Sequence, residues 1–340
     1  MITTEDPKLN ADTVNALFDG FNGLKVMVVG DVMIDAYYWG KVRRISPEAP
    51  VPIVEIAQRE NRMGGAANVA LNVMALGAQP LICSVIGDDE KGEVFGELLD
   101  IRGFGREGIV KSTERPTTVK TRIISDGQHL LRVDEESTRA LSRAEEAAFI
   151  ERCHTLLESG EIDVVIFEDY NKGVLTEGVI QSVSAKALDA GVPVAVDPKK
   201  ENFFAYKQVS LFKPNFKELV EGVKQEVDKS DDSAILAAIE AMEKELGNAL
   251  SLVTLSERGV VVKKGQTAVR IPAHPREILD VSGAGDTVIS VAALTLAQKA
   301  DPVVMACLAN LAGGLVCEKV GVVPIDKDRL QSEALKLCGE

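Results

Sequence analysis

Short runs of apolar, often β-branched residues recur along the chain at positions 24–29, 81–86, 164–167, 192–196, 209–212 and 250–255. Each run is nearly continuous rather than alternating, the pattern of strands covered on both faces. Between them lie stretches with apolar residues at three- and four-residue spacing, 66–76, 92–101, 143–157, 177–190 and 233–246. These predict amphipathic helices. Strands that alternate with helices need crossover connections. The chain is therefore expected to be an α/β protein with a doubly wound, mostly parallel sheet flanked by helices. Its 340 residues suit one large unit of this kind, read here as a single domain over 1–340.

Two segments break the rhythm. Residues 37–56 carry Trp39, Pro47, Pro50 and Pro52 and show no helical period. Residues 117–134 alternate apolar and polar positions through Val119, Thr121 and Ile123, then Leu131 and Val133 after a turn at Asp126-Gly127. The second segment reads as a β-hairpin. Segments of about 37–60 and 117–134 are expected to form a small β-sheet lid or a dimer surface. An edge extension of the main sheet is the alternative.

In open parallel sheets, ligands bind beyond the carboxyl ends of the strands. Asp31 and Asp35 follow the first apolar run, Glu168 and Asp169 the third, and Asp197 the fourth. Lys213, Asn215 and Glu218 follow the fifth, Thr254 and Ser256 the sixth. Polar residues collect at strand ends in any case, so the set is informative and no single member is.

Asp280-Val281-Ser282-Gly283-Ala284-Gly285-Asp286 precedes an apolar stretch of helical character over 287–297. Small residues before a helix leave backbone N–H groups aimed outward, and with the helix dipole they form an anion site suited to a phosphoryl group. Asp286 falls in the first helical turn, where a carboxylate is stabilised as the anion. It is placed to accept a proton from an attacking alcohol. An Asp-capped helix entered through a glycine turn fits the same residues. A second glycine pair, Gly64-Gly65, opens the 66–76 helix with Asn68 in its first turn, which offers a sugar hydroxyl both donor and acceptor. Close helix–sheet packing is the plainer reading of that pair. Gly103-Phe104-Gly105-Arg106-Glu107-Gly108 matches a dinucleotide fingerprint in letters but follows a helical stretch, so it reads as a loop. A Walker A sequence is absent.

Composition narrows the picture. Lys and Arg total 38 against 52 Asp and Glu, a net charge of -14, which argues against a nucleic-acid binder. Five cysteines without C-x-x-C spacing and three scattered histidines exclude the common disulfide and zinc frameworks. No apolar run is long enough to span a bilayer, and the acidic first ten residues lack a signal-peptide core, so a cytoplasmic location without membrane contact is expected.

The residues 24–325 resemble the ribokinase-like (PfkB-type) carbohydrate kinases. Gly64-Gly65-x-x-Asn68 and Asp280-x-x-Gly283-Ala284-Gly285-Asp286 are similar to that family's two hallmark motifs in content, order and separation. The segments 45–52, 64–70, 130–134 and 169–173 further resemble the kinases of the ADP-heptose pathway, which phosphorylate the anomeric hydroxyl of D-glycero-β-D-manno-heptose 7-phosphate. Glu168 departs from the small residue usual there. Some of those kinases carry a fused nucleotidyltransferase, an activity not expected within these 340 residues.

The resemblance implies roles residue by residue. Asp286 matches the catalytic base, and Gly283, Ala284 and Gly285 the anion hole. Asp35, Gly64, Gly65 and Asn68 match sugar-binding positions. Asn215 and Glu218 match the pair that organises magnesium and the phosphates. Thr254, Ser256 and Gly259 match a nucleotide-side strand end, and Asn310 with Gly313 an adenine-side wall. The implied cofactor is Mg2+ with ATP, and a monovalent cation is admitted. The implied partners are a sugar phosphate and, through the lid, a second copy of the chain. Arg43, Arg44, Lys120, Arg122 and Arg132 cluster in the two lid segments. With Lys172 they are candidates to meet a substrate phosphate, Arg122, Arg132 and Lys172 above all. For any one of them a solvated strand face is the plainer reading. Another sugar of the same family (ribose, fructose or ketodeoxygluconate) and a non-catalytic sensor on the same fold are the alternative functions.

Overall fold

The computed structural model describes residues 1–4 and 9–338. Its strands are β1 (Ile2–Thr4), β2 (Lys25–Gly30), β3 (Val32–Ile45), β4 (Pro52–Gly65), β5 (Gln79–Gly87), β6 (Ile109–Ser112), β7 (Val119–Ser125), β8 (Gln128–Glu135), β9 (Val164–Glu168), β10 (Val194–Asp197), β11 (Leu211–Phe212), β12 (Ser251–Thr254), β13 (Val260–Lys264) and β14 (Thr267–Ile271). The α-helices are α1 (Ala11–Gly20), α2 (Ala66–Ala75), α3 (Glu90–Arg102), α4 (Arg143–Leu157), α5 (Glu177–Asp189), α6 (Phe216–Val223), α7 (Asp232–Leu246), α8 (Ala284–Ala297), α9 (Pro302–Val316) and α10 (Lys327–Lys336).

The large sheet has the order β1-β14-β13-β12-β11-β10-β9-β2-β5-β6. From β12 to β6 every pairing is parallel, while β12–β13 and β13–β14 are antiparallel. The doubly wound, mostly parallel sheet is as the sequence predicts. Apolar side chains on its two faces form separate cores. One lies beneath α2, α8 and α9 and includes Val28, Ile166, Ile289 and Leu308. The other lies beneath α4, α5 and α7 and includes Val29, Phe167, Phe149 and Ile239. This two-sided burial explains why the strand runs lack alternation.

The second sheet stands apart, with the order β4-β3-β7-β8. Its outer hairpin turns at Asp126 and Gly127, both at positive φ (49° and 79°), the backbone that a two-residue turn between right-twisted strands requires. An independent lid sheet therefore replaces the edge-extension alternative. The strand β3 leaves the core directly after β2 and is buried from Val32 to Tyr37, then runs out to exposed Ile45. Asp35 and Gly64 sit at the buried root of this sheet, where β3 and β4 pair in antiparallel register.

Helix α4 keeps its predicted bounds because Ser142 and Glu145 form a reciprocal capping box. Among the described residues, no helix is long and apolar enough to cross a membrane.

Candidate active site

Asp286 lies in the first turn of α8, behind Gly283 in the left-handed conformation (φ 80°). Its carboxylate is buried and each oxygen meets a donor. The Asn68 amide donates to Oδ2 at 2.5 Å. The Tyr170 hydroxyl donates to Oδ1 at 3.0 Å. A helix N-terminus on its own would hold the carboxyl low. The structure corrects that expectation. Burial pushes it above its ordinary value, against the Asn68 bond, with the Asp197 charge adding to the rise and the Tyr170 bond opposing it. A carboxylate raised in this way is a better proton acceptor.

The donors are held by separate pieces of chain. Asn68 is buried in the first turn of α2, and its Oδ1 has no partner among the described residues. The chain enters α2 through Gly65 at φ 63°, so close to the Asp31 carbonyl that a Cβ has no room. A Cβ on Gly64 would overlap Asp35 Oδ2. Tyr170 follows β9 in a loop pinned by one carboxylate. Asp31 accepts the N–H groups of Tyr170, Lys172 and Val174 at 3.0, 3.0 and 3.1 Å. Burial, then the charges of Asp286 and Glu168, push the Tyr170 phenol well above its usual range, so it remains a donor.

Three strand ends make the floor. Lys213 and Asp197, both buried, pair at 2.8 Å. A Cβ built on Gly285 would lie 3.5 Å from Asp197 Oδ2 and 3.8 Å from Lys213 Nζ, so this pair adjoins the glycine turn. Lys199 pairs with Glu218 at 2.7 Å and stands 5.6 Å from the Tyr170 ring centroid. Burial would lower the Lys199 ammonium, but Asp197 and Glu218 outweigh it and raise it. Glu168 is Asp197's register neighbour. Burial, then Asp197 and Asp286, push its carboxyl far upward, and its Oε2 has no partner among the described residues. That upward push disfavours a further negative charge on Glu168 in a crowded site.

Asn215 and Glu218 form the capping box of α6, each side chain accepting the other's backbone N–H at 2.9 Å. The Asn215 carbonyl oxygen is committed to the cap, so Glu218 is the anionic member of that pair. The Ala284 N–H closes a turn to the Val281 carbonyl at 3.3 Å, a long bond that a phosphoryl oxygen can replace.

Two clefts flank Asp286. The larger, about 650 Å³, is lined by Thr254, Ser256, Gly259, Asn310 and Gly313, and reaches Ala284 and Gly285. Gly259 is at φ 78° with its Cα against the Ile271 carbonyl, and Asn310 donates to the Pro272 carbonyl at 2.8 Å. The smaller, about 300 Å³, is lined by Asp35, Tyr37, Asn68, Arg62, Arg102 and Val322, among others. Val322 also packs at Gly283, 3.3 Å from where a Cβ would stand, so this cleft abuts the glycine turn.

The three cations singled out for a substrate phosphate are engaged. Arg122 is in an ion pair with Asp35 and lies 5.2 Å from the Tyr37 ring centroid. Arg132 pairs with Asp134 at 2.9 Å, and Lys172 with Glu136 at 2.7 Å. Neither of these last two lines the smaller cleft. Tyr170, Lys199, Arg62 and Arg102 carry no role from the sequence, and Asp197 and Lys213 appear there only as strand-end residues. For Tyr170, Lys199 and the floor pair the available signal was position, one to three residues past a predicted strand.

A family model described as pfkB family carbohydrate kinase matches residues 24–328. The chain belongs to that family. As a pfkB carbohydrate kinase it is an ATP-dependent sugar kinase. The proteins named Bifunctional protein HldE from Citrifermentans bemidjiense and Caulobacter sp. (strain K31) are 39% and 40% identical over 94% of the chain. That of Methylobacillus flagellatus is 40% identical over 95%. The chain spans 65%, 64% and 65% of the length of these three relatives, less than two thirds of each. Among solved structures, phosphofructokinase-2 from Escherichia coli in complex with potassium aligns over 92% of this chain and 98% of that one, with a TM-score of 0.75 at 20% identity. Arabidopsis thaliana ribokinase complexed with ribose and ATP aligns over 94% and 99%, with a TM-score of 0.68 at 19% identity. At those identities the likeness is one of fold, and it makes this pfkB chain ribokinase-like.

Proposed function

We propose that this kinase transfers the γ-phosphoryl group of ATP to the anomeric hydroxyl of D-glycero-β-D-manno-heptose 7-phosphate, giving the 1,7-bisphosphate. One observation carries the reading: a buried carboxylate, Asp286, sits at a glycine-lined helix N-terminus whose neighbours line a cleft of nucleotide size on one side and one of sugar size on the other. ATP occupies the larger cleft, its adenine side toward Asn310 and Gly313 and its phosphates toward Thr254, Ser256 and Gly285. The acceptor occupies the smaller, where Asp35 and the free Asn68 Oδ1 receive its hydroxyl protons.

The acceptor oxygen attacks the γ-phosphorus and its proton passes to Asp286. The bond from that phosphorus to the bridging oxygen breaks, and ADP departs. Tyr170 and Asn68 fix the carboxylate's orientation. The amides of residues 283–285, the α8 dipole and nearby Lys213 stabilise the charge on the phosphoryl group in transit. Glu218, which pairs with Lys199 through Oε1, is the acid that would hold Mg2+ through water. Among the described residues, no group of three acidic, histidine or cysteine side chains forms a closed cage, which suits an ion held chiefly by phosphates and its own waters. Bound there, Mg2+ would neutralise phosphate charge. A monovalent cation is a further cofactor of this reading, supported by the E. coli neighbour solved with potassium.

The heptose assignment is supported by the HldE relatives and by the segments around Ser46-Pro47-Glu48 and Asp169-Tyr170. We further propose a homodimer through the lid, in the cytoplasm. Every residue of β8 is exposed, including apolar Leu130, Leu131 and Val133, and an edge strand of this kind, paired on one side only, is an association surface. The test is ADP release from Mg-ATP with heptose 7-phosphate, ribose, fructose, fructose 6-phosphate and ketodeoxygluconate. Turnover confined to the heptose phosphate upholds the assignment. Turnover with a neutral sugar alone discards it.

A further inference from the structure

We propose that the smaller cleft contains a subsite for a phosphate carried by the acceptor, and that Arg102 recognises it, with Arg62 beside it. The identity of the acceptor rests on the kinase reading above, but the existence of an anion subsite does not.

The chain carries a net charge of -14, so a cation without a carboxylate partner in a concave site is a local signal. Of the cations proposed from sequence, Arg43, Lys120, Arg122, Arg132 and Lys172 have such partners, while Arg44, which has none among the described residues, does not line the cleft. Lys120 faces Asp134 and Glu136 at 3.4 and 3.1 Å, and Arg122, Arg132 and Lys172 pair with Asp35, Asp134 and Glu136. To bind a phosphate, each must first exchange an acid it already holds. Two arginines line the cleft itself. Arg62 is gripped by both oxygens of Glu60 and lies 4.8 Å from the Tyr37 ring centroid, which fixes the plane of its guanidinium. Arg102 is the last residue of α3 and is exposed. It makes no ion pair and no side-chain hydrogen bond among the described residues.

Leu98 lines the same cleft from one turn earlier on α3, so this face of the helix is turned toward the site. The same cleft contains Asn68, which holds Asp286, and Val322, which touches the glycine turn. A small acceptor in this cleft therefore reaches both Asn68, whose amide holds the Asp286 carboxylate, and the arginines. A dianionic phosphate presents two oxygens to a planar guanidinium, the geometry for which arginine is suited. The phosphate contact thus comes from α3 and the root of β4, and the acceptor is a sugar phosphate rather than a free sugar.

The test is calorimetric binding of D-glycero-β-D-manno-heptose 7-phosphate and of the same heptose without its phosphate, to the full chain and to Arg102→Gln and Arg102→Lys. The wild type is expected to prefer the phosphorylated sugar by about tenfold or more, roughly one charge-assisted contact. Arg102→Gln should reduce that preference to less than about threefold while leaving the affinity for the unphosphorylated sugar within about twofold, and Arg102→Lys should fall between. A preference unchanged in Arg102→Gln, or no preference in the wild type, overturns the subsite. Phosphate-selective binding without ADP release in the presence of Mg-ATP would keep the subsite and remove the kinase reading of this acceptor.

Discussion

Tyr170 and Asp286, 116 positions apart in the chain, are joined by a 3.0 Å hydrogen bond from phenol to carboxylate. The bond ties the end of β9 to the start of α8, and it stabilises the charged form of a carboxyl that burial pushes upward. Removing the donor in Tyr170→Phe should therefore raise that carboxyl further. In the proposed reaction the base works as the carboxylate, so it is lost as pH falls through its pKa, and a higher pKa moves that loss to higher pH. A hydrogen bond to a charged group contributes about 1.5–3 kcal/mol, so the acid limb of kcat/KM should move up by about one to two pH units. A pH–rate profile checks this, and an unmoved limb would separate Tyr170 from the titrating base.

Asp286→Asn keeps the volume and both neighbouring donors' positions but cannot accept the acceptor's proton. Turnover should fall by about 10²–10⁴, the usual worth of a positioned base, with ATP affinity within a few-fold of wild type. Rapid-quench measurement of ADP, beside nucleotide titration, reads both. Substantial retained turnover would assign the proton to another group.

Gly64→Ala places a methyl group into Asp35 Oδ2 and the Met33 side chain. Overpacking of this kind costs about 1–3 kcal/mol. Asp35 is displaced, so KM for the acceptor should rise well above its wild-type value while KM for ATP stays nearly constant. Thermal melting and initial rates at varied acceptor test the two halves. An unchanged acceptor KM would show that Asp35 does not contact the sugar.

Leu131 is 55% exposed on β8 and Ile45 60% exposed at the tip of β3. Leu131→Asp puts a charge into the proposed lid interface and should convert a dimer to a monomer in sedimentation velocity at micromolar concentration. A wild-type chain that sediments as a monomer would discard the lid interface outright.

Much of this was legible in the sequence because the sheet is buried on both sides, which makes its strands stand out as unbroken apolar runs. Periodicity gave α4 its bounds, and the structure shows the Ser142–Glu145 capping box that holds its start. The misses have the same physical root. Helix α9 is apolar nearly all round, so it has no polar stripe to reveal its period. The β13–β14 hairpin and β1 add strands whose antiparallel or edge pairing no βαβ rhythm announces. At the site, the glycine motif identifies Asp286, and strand ends supply Asp197 and Lys213. Which strand end faces which depends on β2, β9, β10 and β11 being neighbours, an order the sequence does not state. The upward shift of Asp286 likewise arises from burial by distant segments, which outweighs the local helix effect.

The strand β3 carries Asp35 at its buried root and Ile45 at its exposed tip. At the rise of an extended strand these are about 33 Å apart along one strand, whose pairing with β4 shifts register at Trp39/Gly40 and at Val42/Arg44. In the proposed reading, acceptor seating and lid docking load opposite ends of the same strand. A lid variant that weakens self-association should also loosen the grip on the sugar, and titrating acceptor KM against protein concentration reads that mechanical linkage directly.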